Sequence, residues 1–433
     1  MNVKISRLIT ILALIWCCCL AAWPALALLH GSIAGGPSLY DGLCCTRGTA
    51  PSAKNANTQA MSVLGFYTRS PITQIKFIFP NWYGVSGGGG ETAPGSTATI
   101  TASVEYPPGT CTPLTFSSAS SATITNGGQV TSDYVTIPGG IPTNTLAKIR
   151  EYLLNSSGIV VNNFLQPTAG MGDALIVGNS GVVDQTVSCG TVTDGGNFQT
   201  IAPLAIIAPI TAAAVCGYGD SIMIGVNNTH QPNSAGDSGE VMPSIGPSFG
   251  YSNMGVNGET ASSFVSTHTN RAAVLPYCSH EVVEYGTNDL YLNGESAATL
   301  EGNLTTIYGY GAASLVSPKT VFQTTLIART TSNDSWATTS GQLYVITPYA
   351  GEVPRVTFNS DLTSAAFGPN GGYFAPDPVV GTSTNNGFWK SVGAGLACSG
   401  GAWTQDGTHP NDCGYYTGLQ SSGFINTSRI HRP

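Results

Sequence analysis

Between about residues 31 and 200 the apolar positions come in short runs, each closed by turn-forming residues. The runs at 75–79, 98–106, 122–125, 134–137, 158–164 and 174–177 have the length and β-branched content of strands. They are broken by four consecutive glycines at 87–90, by Pro107-Pro108-Gly109 and by Pro138-Gly139-Gly140. Helical spacing is scarce, so the pattern predicts an all-β sandwich or jelly-roll domain over 28–204. The texture changes after the apolar stretch 201–215, which carries Pro203 and Pro209. Beyond it, apolar runs at 211–216, 281–285 and 321–328 each lead into a polar turn: Gly217-Tyr218-Gly219-Asp220-Ser221, Gly286-Thr287-Asn288-Asp289 and Arg329-Thr330-Thr331-Ser332. Strands with polar residues at their C-terminal ends belong to parallel α/β sheets, whose sites gather at that edge. An amphipathic helix is expected over 300–315, and the α/β domain over 205–433.

Composition sharpens this picture. Only 9% of the 433 residues are charged, 42% are hydrophobic, and Gly and Pro number 54 and 26. Such a chain can bury a core and is not a disordered polyelectrolyte. Lys4 and Arg7 precede an apolar run over 8–22 and then Ala25-Leu26-Ala27. This reads as a signal peptide over 1–27, with a retained anchor as the alternative, and the expected location is outside the cell or in its envelope. No later run is long and apolar enough to span a membrane. The net charge of −8 becomes more negative once Lys4 and Arg7 are removed, which disfavours nucleic acid as a partner. Of the 11 cysteines, Cys17, Cys18 and Cys19 leave with the leader; the even number that remains predicts disulfides, whose pairing the sequence leaves open.

Ser221 follows an apolar run and precedes a possible helix start. That is where a nucleophilic hydroxyl needs a sharp turn and nearby hydrogen-bond donors. A second Gly-Asp-Ser, at Gly236-Asp237-Ser238, has no strand before it and reads as chance. In Asp406-Gly407-Thr408-His409-Pro410 a carboxylate precedes an imidazole by three residues, close enough to orient it; alone, the segment equally suits an Asx turn with a surface histidine. The other histidines lack such an acid, and none form an i, i+4 pair, which speaks against a metallohydrolase. The turn from Asn253 to Thr260, with Gly255 and Gly258, and the side chain of Asn288 offer N–H donors. Trp82 and Tyr83, beside the glycine run, are either sugar-stacking faces or core.

Taken in order, Gly219-Asp220-Ser221, the turn around Gly258, Gly286-Thr287-Asn288-Asp289 and Asp406-Gly407-Thr408-His409 resemble the four blocks of the SGNH hydrolase, or GDSL esterase/lipase, superfamily. The likeness spans about 213–413, half the chain. It implies a three-layer α/β/α, flavodoxin-like fold, with Ser221 as nucleophile, His409 as general base and then acid, and Asp406 orienting His409. The implied oxyanion hole is the N–H of Ser221, the N–H of Gly258 and the amide of Asn288. Gly258 is preferred to Gly255 on the spacing of the turn, and Ile222 stands where many members have Leu. No cofactor or metal is required by this chemistry. A bridge between Cys398 and Cys413 would close the loop that carries Asp406 and His409.

An SGNH domain behind a β-sandwich resembles two-domain carbohydrate esterases. The expected function is therefore hydrolysis of short-acyl, O-acetyl esters on a polysaccharide through an acyl-enzyme. The polar segment 227–246 offers no apolar lid for a long-chain lipase. Two other readings stay open: an O-acetyltransferase acting on glycan, and a glycan-binding protein with weak esterase activity.

Overall fold

The computed structural model describes residues 38–196, 198–228, 236–383, 386–390 and 402–432. The leader over 1–27 and Cys398 lie outside the described residues. Six strands form a parallel sheet: β1 (Gly48–Thr49), β2 (Ala214–Tyr218), β3 (Gly250–Asn253), β4 (His280–Val283), β5 (Thr320–Thr324) and β6 (Tyr373–Phe374). Their spatial order is β1-β3-β2-β4-β5-β6, and every neighbouring pair is parallel. Every residue of β2, β3 and β4 is buried, as expected for strands covered on both faces. Because β3 lies on one side of β2 and β4 on the other, the chain reverses its direction of travel across the sheet beside the C-terminal end of β2. In open α/β sheets ligands bind outside such a switch point, and Ser221 is placed at this one.

Short helices leave the C-terminal ends of the strands: α1 (Ser221–Ile224) after β2, α2 (Ala261–Thr267) after β3 and α3 (Thr287–Tyr291) after β4. The longer α4 (Ala297–Ser314) corresponds to the helix expected over 300–315. Ser296 caps it by accepting the Thr299 N–H, and Ala297, Leu300, Leu304, Ile307 and Gly311 form its buried stripe at spacings of three and four. At Gly311 a Cβ would lie 2.1 Å from the Glu281 carboxylate, so glycine is what lets α4 approach β4 this closely.

The first half of the chain builds two antiparallel sheets. One orders Tyr40–Leu43, Ala205–Ile210, Ile72–Pro80 and Gln129–Thr131, with Val135–Ile141 also paired to Ile72–Pro80. The other orders Ala122–Ile124, Ala98–Glu105, Leu146–Asn155, Gln59–Tyr67 and Ala174–Gly178. Phe66 and Phe77 meet edge to face between them, with ring centroids 6.1 Å apart. One hydrophobic cluster runs from Phe77 and Ile206 through Tyr218 to Leu300, and Leu39–Arg432 fold as one compact unit. The chain is thus a mixed α/β protein in which β1, from the first half, extends the parallel sheet.

Among the described residues, disulfides join Cys111 to Cys189 and Cys216 to Cys278. Among the described residues no helix is long and apolar enough to cross a membrane. Trp82 is fully buried and donates its Nε1 to Gln129 Oε1 at 3.3 Å, so it is a core ring with no face for a sugar; Tyr83 is half-buried in a small hairpin with Gly90–Thr92.

Candidate active site

The nucleophile turn is built where β2 ends. Asp220 caps α1 by accepting the Ile222 N–H at 2.9 Å, and Ser221 is 3% exposed. Glu284, just beyond β4, places Oε2 3.1 Å from the Asp220 nitrogen and 3.2 Å from that of Met223. A Cβ at residue 219 would sit 2.6 Å from the same oxygen, which is why glycine precedes Asp220. Burial pushes the Asp220 carboxyl up to about 6, against the Ile222 N–H and the His409 charge that hold it down. Burial raises Glu284 and Glu240 well above the carboxylate range, and the charge of Asp220 adds to it.

The loop from Thr404 to Pro410 brings the candidate base, His409. His409 Nε2 lies 2.7 Å from Ser221 Oγ, and His409 Nδ1 lies 2.7 Å from Asp406 Oδ2. Asp406 Oδ1 accepts the N–H groups of Thr408 at 2.8 Å and His409 at 2.9 Å. The Asx turn and the imidazole partner are therefore one structure: one carboxylate oxygen folds the turn and the other holds the ring. Asn227 donates to Asp406 Oδ2 at 2.7 Å, and Arg329 Nε donates to Thr408 Oγ1 at 3.1 Å. Burial alone would raise Asp406, but the hydrogen bond and charge of His409 and the two backbone donors hold it well below the usual carboxylate range.

The donor candidates are less uniform. The N–H groups of Ser221 and Gly258 have no acceptor among the described residues. The Asn288 amide is already engaged, donating to Asp220 Oδ2 at 3.2 Å and to the Glu259 carbonyl at 3.0 Å. Gly258 has φ 75°, and a Cβ there would meet the Gly87 nitrogen at 2.7 Å, so the turn needs glycine twice over. Gly255 instead packs against the α1 start, where a Cβ would lie 2.8 Å from the Ile224 nitrogen.

The Gly258 turn is tied to the first half of the chain. Gly87 donates its N–H to the Asn257 carbonyl at 2.9 Å, and Ser263 Oγ donates to the Gly88 carbonyl at 2.8 Å. Beneath it, buried Arg271 makes a two-pronged pair with Glu259 at 2.6 and 2.7 Å, and its Nε reaches Glu91 at 3.1 Å. An open cleft of about 520 Å³ is lined by Gly258 together with Gly87, Gly88, Ser262, Ser263 and Asn293, among others. A larger cavity of about 880 Å³, beside Phe367, Tyr373 and Arg429, is lined by no serine, cysteine, histidine or carboxylate.

Ser221, His409 and Asp406 are thus brought into one hydrogen-bonded chain, Asn288 lies beside Asp220, and Gly258 lines the cleft. Asp237 of the second Gly-Asp-Ser accepts from Tyr251 Oη at 2.6 Å, a buried structural contact. Sequence reasoning missed Glu284, Asn227, Arg329 and the docking of the glycine run on the Gly258 turn. Only Glu284 had a signal, as a charged residue, with Glu281, inside the mainly apolar run 281–285. For metal ligation, the one group of closely spaced donor atoms among the described residues is Glu105 with Cys111 and Cys189, whose sulfurs are joined to each other. It shares no residue with the triad.

No protein-family model matches the chain, and no curated protein matches it. Among solved structures it matches a putative lipolytic protein of the G-D-S-L family from Desulfitobacterium hafniense at 11% identity and TM-score 0.33, over 49% of this chain and 98% of that one. A putative platelet activating factor structure from Streptococcus pneumonia matches at 15% identity and TM-score 0.34, over 51% and 85%. A carbohydrate acetylesterase family member from Sinorhizobium meliloti matches at 14% and 0.30, over 50% and 99%. In its four motif blocks the chain resembles the SGNH hydrolase superfamily.

Proposed function

We propose that the protein is an SGNH/GDSL-type serine ester hydrolase that removes short acyl groups, O-acetyl above all, from a polysaccharide outside the cell. The observation that carries this reading is the placement of the His409 ring, 2.7 Å from Ser221 Oγ on one side and 2.7 Å from Asp406 on the other. In this reading His409 Nε2 takes the Ser221 proton as Oγ attacks the ester carbonyl, while Asp406 fixes the ring tautomer and stabilises the imidazolium. The alcohol leaves with the proton from His409, and water, activated by the same ring, hydrolyses the acyl-enzyme. The oxyanion is held by the N–H groups of Ser221 and Gly258 and by Asn288, which releases its longer bond to Asp220 to do so. The chemistry needs no metal or cofactor.

The hydroxyl-rich, uncharged cleft that Gly258 helps to line supports a polyhydroxylated alcohol portion in the substrate. The β region over 28–204, proposed as a sandwich-type accessory domain to a catalytic domain over 205–433, contributes Gly87 and Gly88 to that wall. Secretion is supported by the leader pattern and by two disulfides. The test is acetate release from p-nitrophenyl acetate and from a panel of acetylated polysaccharides, using wild type, Ser221→Ala and His409→Ala. Turnover lost by about 10⁴-fold or more in both variants is expected. Acetyl transfer to an added sugar with little free acetate would instead indicate a transferase, and binding without turnover a lectin-like role.

A further inference from the structure

The nucleophile turn contains a carboxyl group that the mechanism above does not use. Glu284 is 2% exposed, and its Oε2 accepts the backbone N–H groups of Asp220 and Met223, the residues on either side of Ser221 and Ile222. Gly219 has no side chain, which makes room for that oxygen. Among the described residues no cationic side chain pairs with Glu284; the groups acting on it are Asp220 and Glu240, and Glu240 Oε1 is buried without a hydrogen-bond partner.

We infer that Glu284 is the positioning residue of the nucleophile, gripping the Ser221 turn as a neutral carboxylic acid whose second oxygen carries its proton toward Asp220. The inference rests on the esterase reading for its kinetic consequence, but not for its structural one. One oxygen shared by two N–H groups pins the turn at two points, and the Ser221 side chain inherits that fixed origin. The proton matters because Asp220 sits alongside and itself accepts from Ile222 and Asn288. Ionising Glu284 would set two like charges in a buried site. The surrounding titratable groups sharpen this: Glu240 acts on Glu284 directly, Tyr415 shares the field of all three carboxyls, and Tyr285 and Asp289 feel Asp220. The positive groups, His409 and Arg329, act on Asp220 and hold it as the ionised member. Burial raises the Glu284 carboxyl well above its ordinary range, in keeping with a proton retained at neutral pH.

The test compares wild type, Glu284→Gln and Glu284→Ala in p-nitrophenyl acetate hydrolysis from neutral to alkaline pH. Glutamine keeps the accepting oxygen and replaces the O–H with N–H, so kcat at neutral pH should stay within about threefold of wild type, and the alkaline fall of kcat should move to higher pH or vanish. Alanine removes the grip, and kcat should fall by about 10²-fold with KM changed less than about twofold, as for a displaced reacting group. Glu284→Ala with unchanged kcat, or Glu284→Gln as impaired as Glu284→Ala, overturns the inference; so does an alkaline limb identical in Glu284→Gln and wild type. If Glu284→Ala does not fold, the alkaline limb of Glu284→Gln decides alone. If wild type hydrolyses no ester, the functional reading fails separately, and deuterium uptake across 218–225 still decides the inference. Uptake should match wild type in Glu284→Gln and be faster in Glu284→Ala, and equal uptake in all three would sink it.

Discussion

Ser221 and His409 meet across one hydrogen bond but reach it by different means. Ser221 sits at the end of a fully buried strand, on a turn whose N–H groups and carboxyls belong to the interior. His409 arrives on a loop whose Asp406 side chain is 39% exposed and whose order comes from polar contacts made by Asn227, Arg329 and its own Asx turn. Ser221 therefore inherits its position from the fold, whereas His409 depends on local hydrogen bonds that the fold does not need. Substitutions on the Ser221 side should cost stability together with activity; those on the His409 side should cost activity alone.

The largest separation is expected from Asp406→Asn. The amide keeps the shape of the turn but favours the wrong imidazole tautomer, so kcat should fall by about 10⁴-fold while the melting temperature barely moves. Steady-state kinetics and thermal melts on one preparation check both halves, and a large loss of stability would mean that the loop is part of the fold after all. On the other side, Arg271→Met leaves Glu259 and Glu91 buried without their cation under the Gly258 turn. Breaking a buried pair in this way should cost about 3–5 kcal/mol in urea unfolding, with activity lost alongside it.

The same contrast explains what the sequence disclosed. The triad and the Gly258 turn were legible because their chemistry is packed into short segments: Gly-Asp-Ser, a glycine turn, and an acid three residues before a histidine. Of the parallel strands, β2, β4 and β5 were legible because continuous burial leaves an apolar run, whereas β1, β3 and β6 are too short or too polar to leave one. The clamps were not, because Arg271 with Glu91, and Gly87 with Asn257, lie far apart in the chain and meet only when the halves fold together. Leu146–Asn155, a central strand of the second antiparallel sheet, was missed for a related reason. It carries Lys148, Arg150 and Glu151, and nothing local says that Arg150 will be neutralised by Glu105 or that Glu151 will be buried. Trp82 was open between a sugar-stacking face and the core, because an aromatic beside a glycine loop suits both, and only its full burial decides for the core.

The sheet side also carries a pH cost that the loop side does not. Glu281, on β4, is buried, with Oε2 lacking a hydrogen-bond partner, and burial raises its carboxyl to about 8 from 4.5. Between those values the folded chain holds a proton that the unfolded chain releases, so stability falls as pH rises, by about 1.4 kcal/mol per pH unit for this group. Glu281→Gln should remove that part of the slope, measured as urea unfolding at several pH values across the window. An unchanged slope would mean that the carboxyl is ionised in the fold.

The smallest effect should come from Asn227, and it bears most directly on how the base is held. Its Nδ2 donates to Asp406 Oδ2, the same oxygen that takes His409 Nδ1, so it restrains the carboxylate without touching the ring. Its backbone is left-handed, φ 67°, which asparagine and glycine tolerate and alanine resists. Asn227→Gly therefore deletes the amide without adding backbone strain. One hydrogen bond at a partly exposed site contributes about 1 kcal/mol, so kcat should drop by about fivefold with KM unchanged and the melting temperature nearly so. Asn227→Ala should show the same kinetic loss plus a stability loss from the strained backbone. If Asn227→Gly retains full activity, the Asx turn and His409 suffice to hold Asp406, and the base side is more rigid than its exposure suggests.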